Sequence, residues 1–222
     1  MKKAKHSGLF LIAAVFTFTS CISLSIDIQM NRDGSGRLTM EYRISRALET
    51  LGALDGNAEM PAIPVSRSDW ERTIERIKGV KIVSYSSSQK GQDTISAVVL
   101  EFSNPAALLA LLDPDSSRAS ITADNNQNRF NLILNDGSPV SKYSDDYETM
   151  MEFARMMFSD YKFEISLSAP GNSTLTFTNG KGNEIPKPSP VEAVTSGRRV
   201  SMSIGIMDLI EAQDGIGVKF LW

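Results

Sequence analysis

Histidine and cysteine are almost absent from this sequence, which has one of each in 222 residues. His6 and Cys21 both lie in the first 21 residues, so residues 22–222 contain neither. That part of the chain cannot build Ser-His-Asp or Cys-His catalytic groups, nor a zinc site of imidazole or thiolate. Phosphate-binding GxxxxGK[ST] and strand-linked GxGxxG motifs are also missing. We therefore expect no enzyme activity, no metal site and no cofactor; a hydrolase that uses carboxylates alone is a minor alternative.

The N-terminus carries a targeting signal. Three lysines without an acidic residue precede an uncharged apolar run at residues 9–18, and FTSC follows at residues 18–21. This order is typical of a secretory signal peptide, and the run is too short to span a bilayer. FTSC resembles the bacterial lipobox, in which the cysteine is acylated and cleavage occurs directly before it; the departure is Phe18, where leucine is usual. The expected signal peptide is residues 1–20, with lipid attached at Cys21. The alternative is an ordinary secretory signal cut near a structural cysteine.

Acidic residues outnumber basic ones, and the difference grows when the predicted signal peptide is removed. Residues 1–20 hold three of the 23 basic residues and none of the 26 acidic ones, so the net charge falls from −3 to −6. An acidic surface disfavours nucleic acid and electrostatic docking on anionic lipids. Membrane attachment would then depend on the acyl chains.

Long hydrophobic runs are missing from the rest of the chain, which shows short alternating patterns. The sequence predicts four β-hairpins, in which strands at 22–30, 80–88, 118–124 and 162–169 pair with strands at 37–45, 93–102, 129–135 and 173–179. Amphipathic helices are expected between them, one capped by Ser68 and Glu71, one by Asn104 with Pro105, and one ending near Tyr161. We expect one α+β domain over residues 21–222, an antiparallel sheet built from successive hairpins with the helices packed on one face. Residues 180–197 are expected to form a mobile polar loop.

The first predicted turn, NRDGSG at residues 31–36, begins like a calcium-binding loop. An EF-hand loop needs flanking helices and a glutamate at its twelfth position, where this chain has Tyr42 in a predicted strand. The sequence therefore predicts a hairpin turn here and no metal.

The helix near residue 150 is rich in methionine. Met150, Met151, Met157 and Phe158 contribute to its apolar stripe and form a candidate wall for a hydrophobic ligand, because thioether side chains adapt to irregular partners. The alternative, an ordinary core helix, is the more common use of such a stripe.

Three segments together resemble one known family. These are SLSIDIQMNRDGSGRLTMEYRISRAL at residues 23–48, SLSAPG at residues 166–171, and VSMSIGIMDLIEAQDGIGVKFLW at residues 200–222. They look like the LppM-type bacterial lipoprotein domain. The resemblance implies an extracytoplasmic α+β domain with a hydrophobic cavity that binds or carries lipid without catalysis. Familiar members continue into a C-terminal transmembrane helix, which this sequence lacks, so the expected anchor is lipid alone.

The functional expectation is a lipid-anchored, extracytoplasmic bacterial lipoprotein that binds a lipid or another hydrophobic ligand at the cell envelope. The alternative is a structural lipoprotein that docks an envelope protein through an exposed strand edge or through residues 180–197.

Overall fold

A computed structural model describes residues 22–45, 66–124, 127–138 and 147–222. Strands form most of the regular structure in these ranges, and the helices are short. The strands are β1 Ile22–Met30, β2 Gly36–Ser45, β3 Val80–Lys90, β4 Asp93–Phe102, β5 Ala119–Asp124, β6 Gln127–Asn135, β7 Lys162–Ser168, β8 Thr174–Thr178, β9 Glu184–Ile185, β10 Glu192–Ser196, β11 Arg199–Gly205 and β12 Ile216–Leu221. The helices are α1 Arg67–Ile74, α2 Pro105–Leu112, α3 Tyr147–Phe158 and α4 Ile206–Ile210.

The larger sheet has seven strands in the order β10-β11-β7-β1-β2-β4-β3. Its pairs are antiparallel except β1 with β7, which run parallel with Leu24 beside Phe163. Alternation in β1 determines which of its faces is buried. Leu24, Ile26 and Ile28 are buried, whereas the serine and aspartate side chains between them lie half-buried on the opposite face.

The smaller sheet has five antiparallel strands in the order β5-β6-β12-β8-β9. Phe130 of β6 stacks on Phe220 of β12 with ring centroids 5.7 Å apart. These rings belong to the same buried cluster as Ile28, Leu38 and Leu100 of the larger sheet. The core therefore draws on both sheets, while the single domain stays a prediction.

Three of the four predicted hairpins are confirmed. β1 pairs with β2, β3 with β4 and β5 with β6, each antiparallel. The fourth is wrong, because β7 lies between β1 and β11 whereas β8 pairs with β12 and β9 in the other sheet. The predicted single antiparallel sheet is corrected to two sheets, one of them mixed. Helix contacts are divided between them: α1 contacts β3, α2 contacts β5 and β4, and α4 contacts β11 and β6, so packing on one face is not confirmed.

The N-cap of helix α1 lies two residues earlier than the predicted Ser68. The Oγ of Ser66 accepts from the backbone N–H of Asp69, and an Asp69 carboxylate oxygen accepts from the backbone N–H of Ser66. The capping box is thus Ser66 with Asp69, and the predicted pair of Ser68 with Glu71 is wrong. For α2 the prediction is confirmed, with Asn104 as N-cap and Pro105 in the first turn.

Residues 180–197 form more structure than the predicted mobile loop. They contain β9, which pairs with β8, and β10, which extends the larger sheet beside β11. Between these strands the Lys187 ammonium donates to the carbonyl of Val191, and Val191 is buried in the core. These contacts explain the ordered path, because they satisfy backbone groups that a free loop would leave to water.

Candidate functional site

The predicted lipid-attachment residue, Cys21, lies outside the described residues. Strand β1 begins at the next residue, and Ile22 pairs with Ile44 of β2. β1 has a strand on each side, β7 and β2. Any group attached to Cys21 is therefore joined to an interior strand of the larger sheet without a spacer.

Helix α3 contains all four predicted wall residues. Met151 and Phe158 are each 7% exposed, and the Phe158 ring meets the Tyr161 ring edge-on at a centroid distance of 6.2 Å. Met150 and Met157 lie in the same helix, but their side chains are outside the described part of the structure. Met156 is 68% exposed and lies on the outer side of α3. The structure thus brings Met151 and Phe158 inward, and their role as a ligand wall stays a prediction.

A polar cluster that the sequence did not predict lies near the end of α3. The Arg43 Nε is 2.5 Å from Asp93 Oδ2, and the Tyr161 hydroxyl donates to Asp93 Oδ1 at 3.2 Å. The Arg43 guanidinium lies 5.4 Å from the centre of the Tyr161 ring, within range of a cation–π interaction. Burial, the largest cause, and neighbouring Asp93 raise the pKa of Tyr161. These contacts join β2, β4 and the segment after α3.

The NRDGSG segment is a tight hairpin turn, as predicted. The N–H of Gly34 donates to the carbonyl of Asn31 at 3.2 Å, and the N–H of Asn31 donates to the carbonyl of Ser35 at 2.8 Å. Gly34 has a φ of 81°, a left-handed conformation that glycine adopts without strain. The Oδ1 of Asp33 accepts from both the N–H and the hydroxyl of Ser35, which lowers the pKa of Asp33. Its oxygen atoms therefore stabilise the turn itself.

A cleft of about 710 Å³ opens beside this turn, where the ends of β1, β2, β4 and β3 meet. We call it the rim cleft. Its walls are side chains and backbone of Gln29, Asn31, Ser35, Gly36, Arg37, Gly79, Val80, Lys81, Glu101, Phe102 and Ser103.

Three charged side chains in adjacent strands line the rim cleft. Glu101 pairs with Arg37 on one side and with Lys81 on the other. Its Oε1 lies 3.1 Å from the Arg37 Nη2 and its Oε2 lies 2.8 Å from the Lys81 Nζ. Lys81 first, and then Arg37, lower the pKa of Glu101. Two cations therefore share one carboxylate, and the three side chains together carry one net positive charge.

The three charged residues of the rim cleft were missed in the sequence because no local motif marks them. Arg37, Lys81 and Glu101 are 20 to 64 positions apart and meet only through strand register. The signal was nevertheless present in the predicted hairpins. Pairing β2 and β3 with opposite edges of β4 would have aligned the three charges on the polar face of the sheet.

Within the described ranges, no helix combines the length and apolarity needed to cross a bilayer. The longest of the described helices, α3, has 12 residues.

No protein-family model and no curated protein matches this chain. Among solved structures, the chain is similar to the NMR structure of the folded domain of the Mycobacterium tuberculosis LppM protein, with 12% sequence identity and a TM-score of 0.38. The similarity covers 92% of this chain and 95% of that one. It indicates a distant structural relationship only, so the proposals that follow depend on the residues of this chain.

Proposed function

We propose that this chain is a bacterial lipoprotein, and that lipid on Cys21 holds a non-enzymatic binding domain at the cell envelope. The observation that carries the proposal is the junction between signal and fold. The single cysteine follows a basic segment and an apolar run, and β1 starts at the next residue as an interior strand. An acylated Cys21 would place the domain directly against the membrane surface, with attachment energy from acyl chains of about 0.8 kcal/mol per buried methylene.

Metabolic labelling with a palmitate analogue tests the anchor. Wild-type protein should incorporate the label and sediment with membranes, whereas Cys21→Ala should lose both properties. The double variant Cys21→Ala with Ser23→Cys is the matched control. It keeps one thiol two residues further along, so it should remain unlabelled if attachment depends on the lipobox position. Undiminished labelling of Cys21→Ala would refute the anchor.

The ligand class that we propose first is a lipid or another hydrophobic molecule bound beneath α3. Support comes from the apolar stripe of this helix, in which Met151 and Phe158 face inward. Thioether and aromatic side chains in such a position can wrap an acyl chain as well as pack a protein core.

Native mass spectrometry distinguishes an apolar stripe that binds lipid from one that only packs the protein core. Residues 22–222, purified from bacterial cells without detergent, should retain a lipid of defined mass. Met151→Trp should reduce the bound fraction by filling the space, while Met156→Trp, on the exposed side, should not. A spectrum of wild-type protein without bound lipid would argue against the hydrophobic-ligand role and leave the anchor unaffected.

A protein partner is the second candidate, and one observation favours it. β10 lies at one edge of the larger sheet, all five of its residues are exposed, and Val194 in its centre is 62% exposed. An edge strand presents unpaired backbone groups that can accept a strand from a partner. Val194→Pro should abolish in-cell cross-linking to such a partner, and recovery of the same cross-links from this variant would exclude the β10 edge.

A further inference from the structure

We propose that the rim cleft is a second binding site, separate from any ligand beneath α3, and that it takes a hydroxyl-rich small molecule carrying one anionic group, such as an acidic sugar. The cleft lies at the turn end of the β1–β2 hairpin. Among the described residues, its walls come from four strand ends and adjoining loops and not from α3.

The arrangement of charged side chains in the rim cleft favours an anionic ligand. Glu101 already accepts from Arg37 and Lys81, and each of these cations has further N–H groups that the single carboxylate does not use. Arg37 is 48% exposed and Lys81 72% exposed at the side chain, so both can reach a ligand in the cleft. A carboxylate or phosphate group would complete the pairing of the two cations, and guanidinium is well shaped for either.

The remaining walls suit hydroxyl groups better than acyl chains. Gln29, Asn31 and Ser103 contribute amides and a hydroxyl, which both donate and accept hydrogen bonds, whereas the Ser35 hydroxyl donates to Asp33 and can only accept from a ligand. An alkyl chain in this cleft would desolvate these groups and the ion pairs without replacing their water contacts. The volume of about 710 Å³ is within the range of small-molecule sites.

The position of the rim cleft argues for a soluble ligand or one from the cell wall. β1 runs from Ile22, beside Cys21, to Met30 beside the cleft, which spans roughly 27 Å at the usual rise per residue. An anchor at Cys21 would therefore let the cleft lie up to about 27 Å from the surface of its own membrane. The distance from the membrane rests on the proposed function, because it requires the anchor at Cys21. The charge and polarity of the cleft do not depend on that anchor.

Titration of the full chain in detergent micelles, followed by amide chemical shifts, tests the proposal. The probes are glucuronate, glucose as its neutral counterpart, and glucose 6-phosphate as the phosphate form. Glucuronate or glucose 6-phosphate should bind saturably at least about tenfold more tightly than glucose, since a charged hydrogen bond contributes about that factor.

Variants then assign the binding to the rim cleft. Arg37→Ala should weaken anion binding about tenfold. Lys81→Met should weaken it, while Lys90→Met, on the same strand with the same change of charge, should leave it unchanged. Glu101→Gln keeps the side-chain shape and removes the competing charge, so it should tighten binding, which a merely structural role for Glu101 does not predict.

Three results would overturn the site. They are equal affinity for glucose and glucuronate, equal losses in Lys81→Met and Lys90→Met, and weaker binding in Glu101→Gln.

Vesicles containing phosphatidylglycerol test whether the anionic group belongs to a lipid headgroup. Binding to these vesicles that depends on Lys81, without binding of the sugar probes, would overturn the assignment to a soluble ligand. Because none of these readouts depends on acylation, loss of the Cys21 anchor in the labelling experiment would leave them interpretable.

Discussion

Single side chains decide where α1 begins. The sequence offers two serines, each followed three residues later by an acidic residue, and either pair fits a capping box. The local sequence pattern does not separate them. In the structure the helix begins at Arg67, so Ser66 is the cap and Trp70 is the fourth helical residue. Trp70 is 2% exposed, with its ring 6.1 Å from that of Tyr42 in β2.

Replacing the cap tests this assignment. Ser66→Ala should lower the free energy of unfolding by about 1 kcal/mol, because the N–H of Asp69 loses its acceptor. Ser68→Ala removes only a hydroxyl contact with Ser66 at 2.9 Å and should change stability by less than about 0.5 kcal/mol. Urea denaturation measures both. A larger loss in Ser68→Ala would restore the cap predicted from sequence.

Acid should weaken the same cap. The hydrogen bond from the Ser66 hydroxyl, followed by that from Arg72, lowers the pKa of Asp69 below its ordinary 3.8. A lowered carboxyl pKa stabilises the fold above the unfolded value and loses this effect as pH falls through the folded value. Asp69→Asn should therefore be less stable than wild type at pH 7, and the difference should shrink below pH 3.8. A difference that stays constant down to pH 2 would contradict this role.

At the scale of elements, local pairings were predictable and distant ones were not. Alternating residues around a short turn identified β1–β2, β3–β4 and β5–β6, because both strands and their turn are contiguous in sequence. β7 and β8 also flank a turn, yet β7 pairs in parallel with β1. The paired residues of these two strands are about 139 positions apart in the sequence. Alternation shows which face of a strand is buried but does not name its neighbours. The rim cleft escaped prediction for the same reason, since its charges meet only across strands.

The two faces of α3 should respond differently to truncation. Met151→Ala should lower the free energy of unfolding by about 2–5 kcal/mol, because the buried thioether leaves a cavity. Met156→Ala removes an exposed side chain and should change stability by less than about 0.5 kcal/mol. Chemical denaturation of both variants without bound ligand gives the comparison. A near-zero effect for Met151→Ala would mean that its side chain makes few packing contacts in the folded protein.

For the whole molecule, the composition and the N-terminal sequence led to more predictions about function than short motifs did. Because residues 22–222 contain no histidine or cysteine, the sequence excluded several classes of catalytic and metal site there. The lipobox-like segment predicted attachment to a bacterial membrane. The division into two sheets did not follow from the pattern, because strands of either sheet alternate in the same way. The shared core, in which Phe130 and Phe220 belong to one buried cluster with residues of the larger sheet, shows that the two sheets combine.

The two tryptophans allow the single-domain prediction to be tested. Trp70 packs near Tyr42 of the larger sheet, and Trp222 exchanges backbone hydrogen bonds with Asn128 in the smaller one. Trp70→Phe leaves Trp222 as reporter, and Trp222→Phe leaves Trp70. In each variant the fluorescence transition should coincide with its own far-UV circular dichroism transition if both sheets unfold together. Separate midpoints would indicate two independently folding units.

The mass of the N-terminal peptide tests the central claim most directly. Protein extracted from bacterial membranes, digested and examined by mass spectrometry should begin at Cys21, and this cysteine should carry a diacylglyceryl group. An N-terminal peptide that begins elsewhere, or one with an unmodified Cys21, would contradict the account of this chain as a lipid-anchored envelope protein.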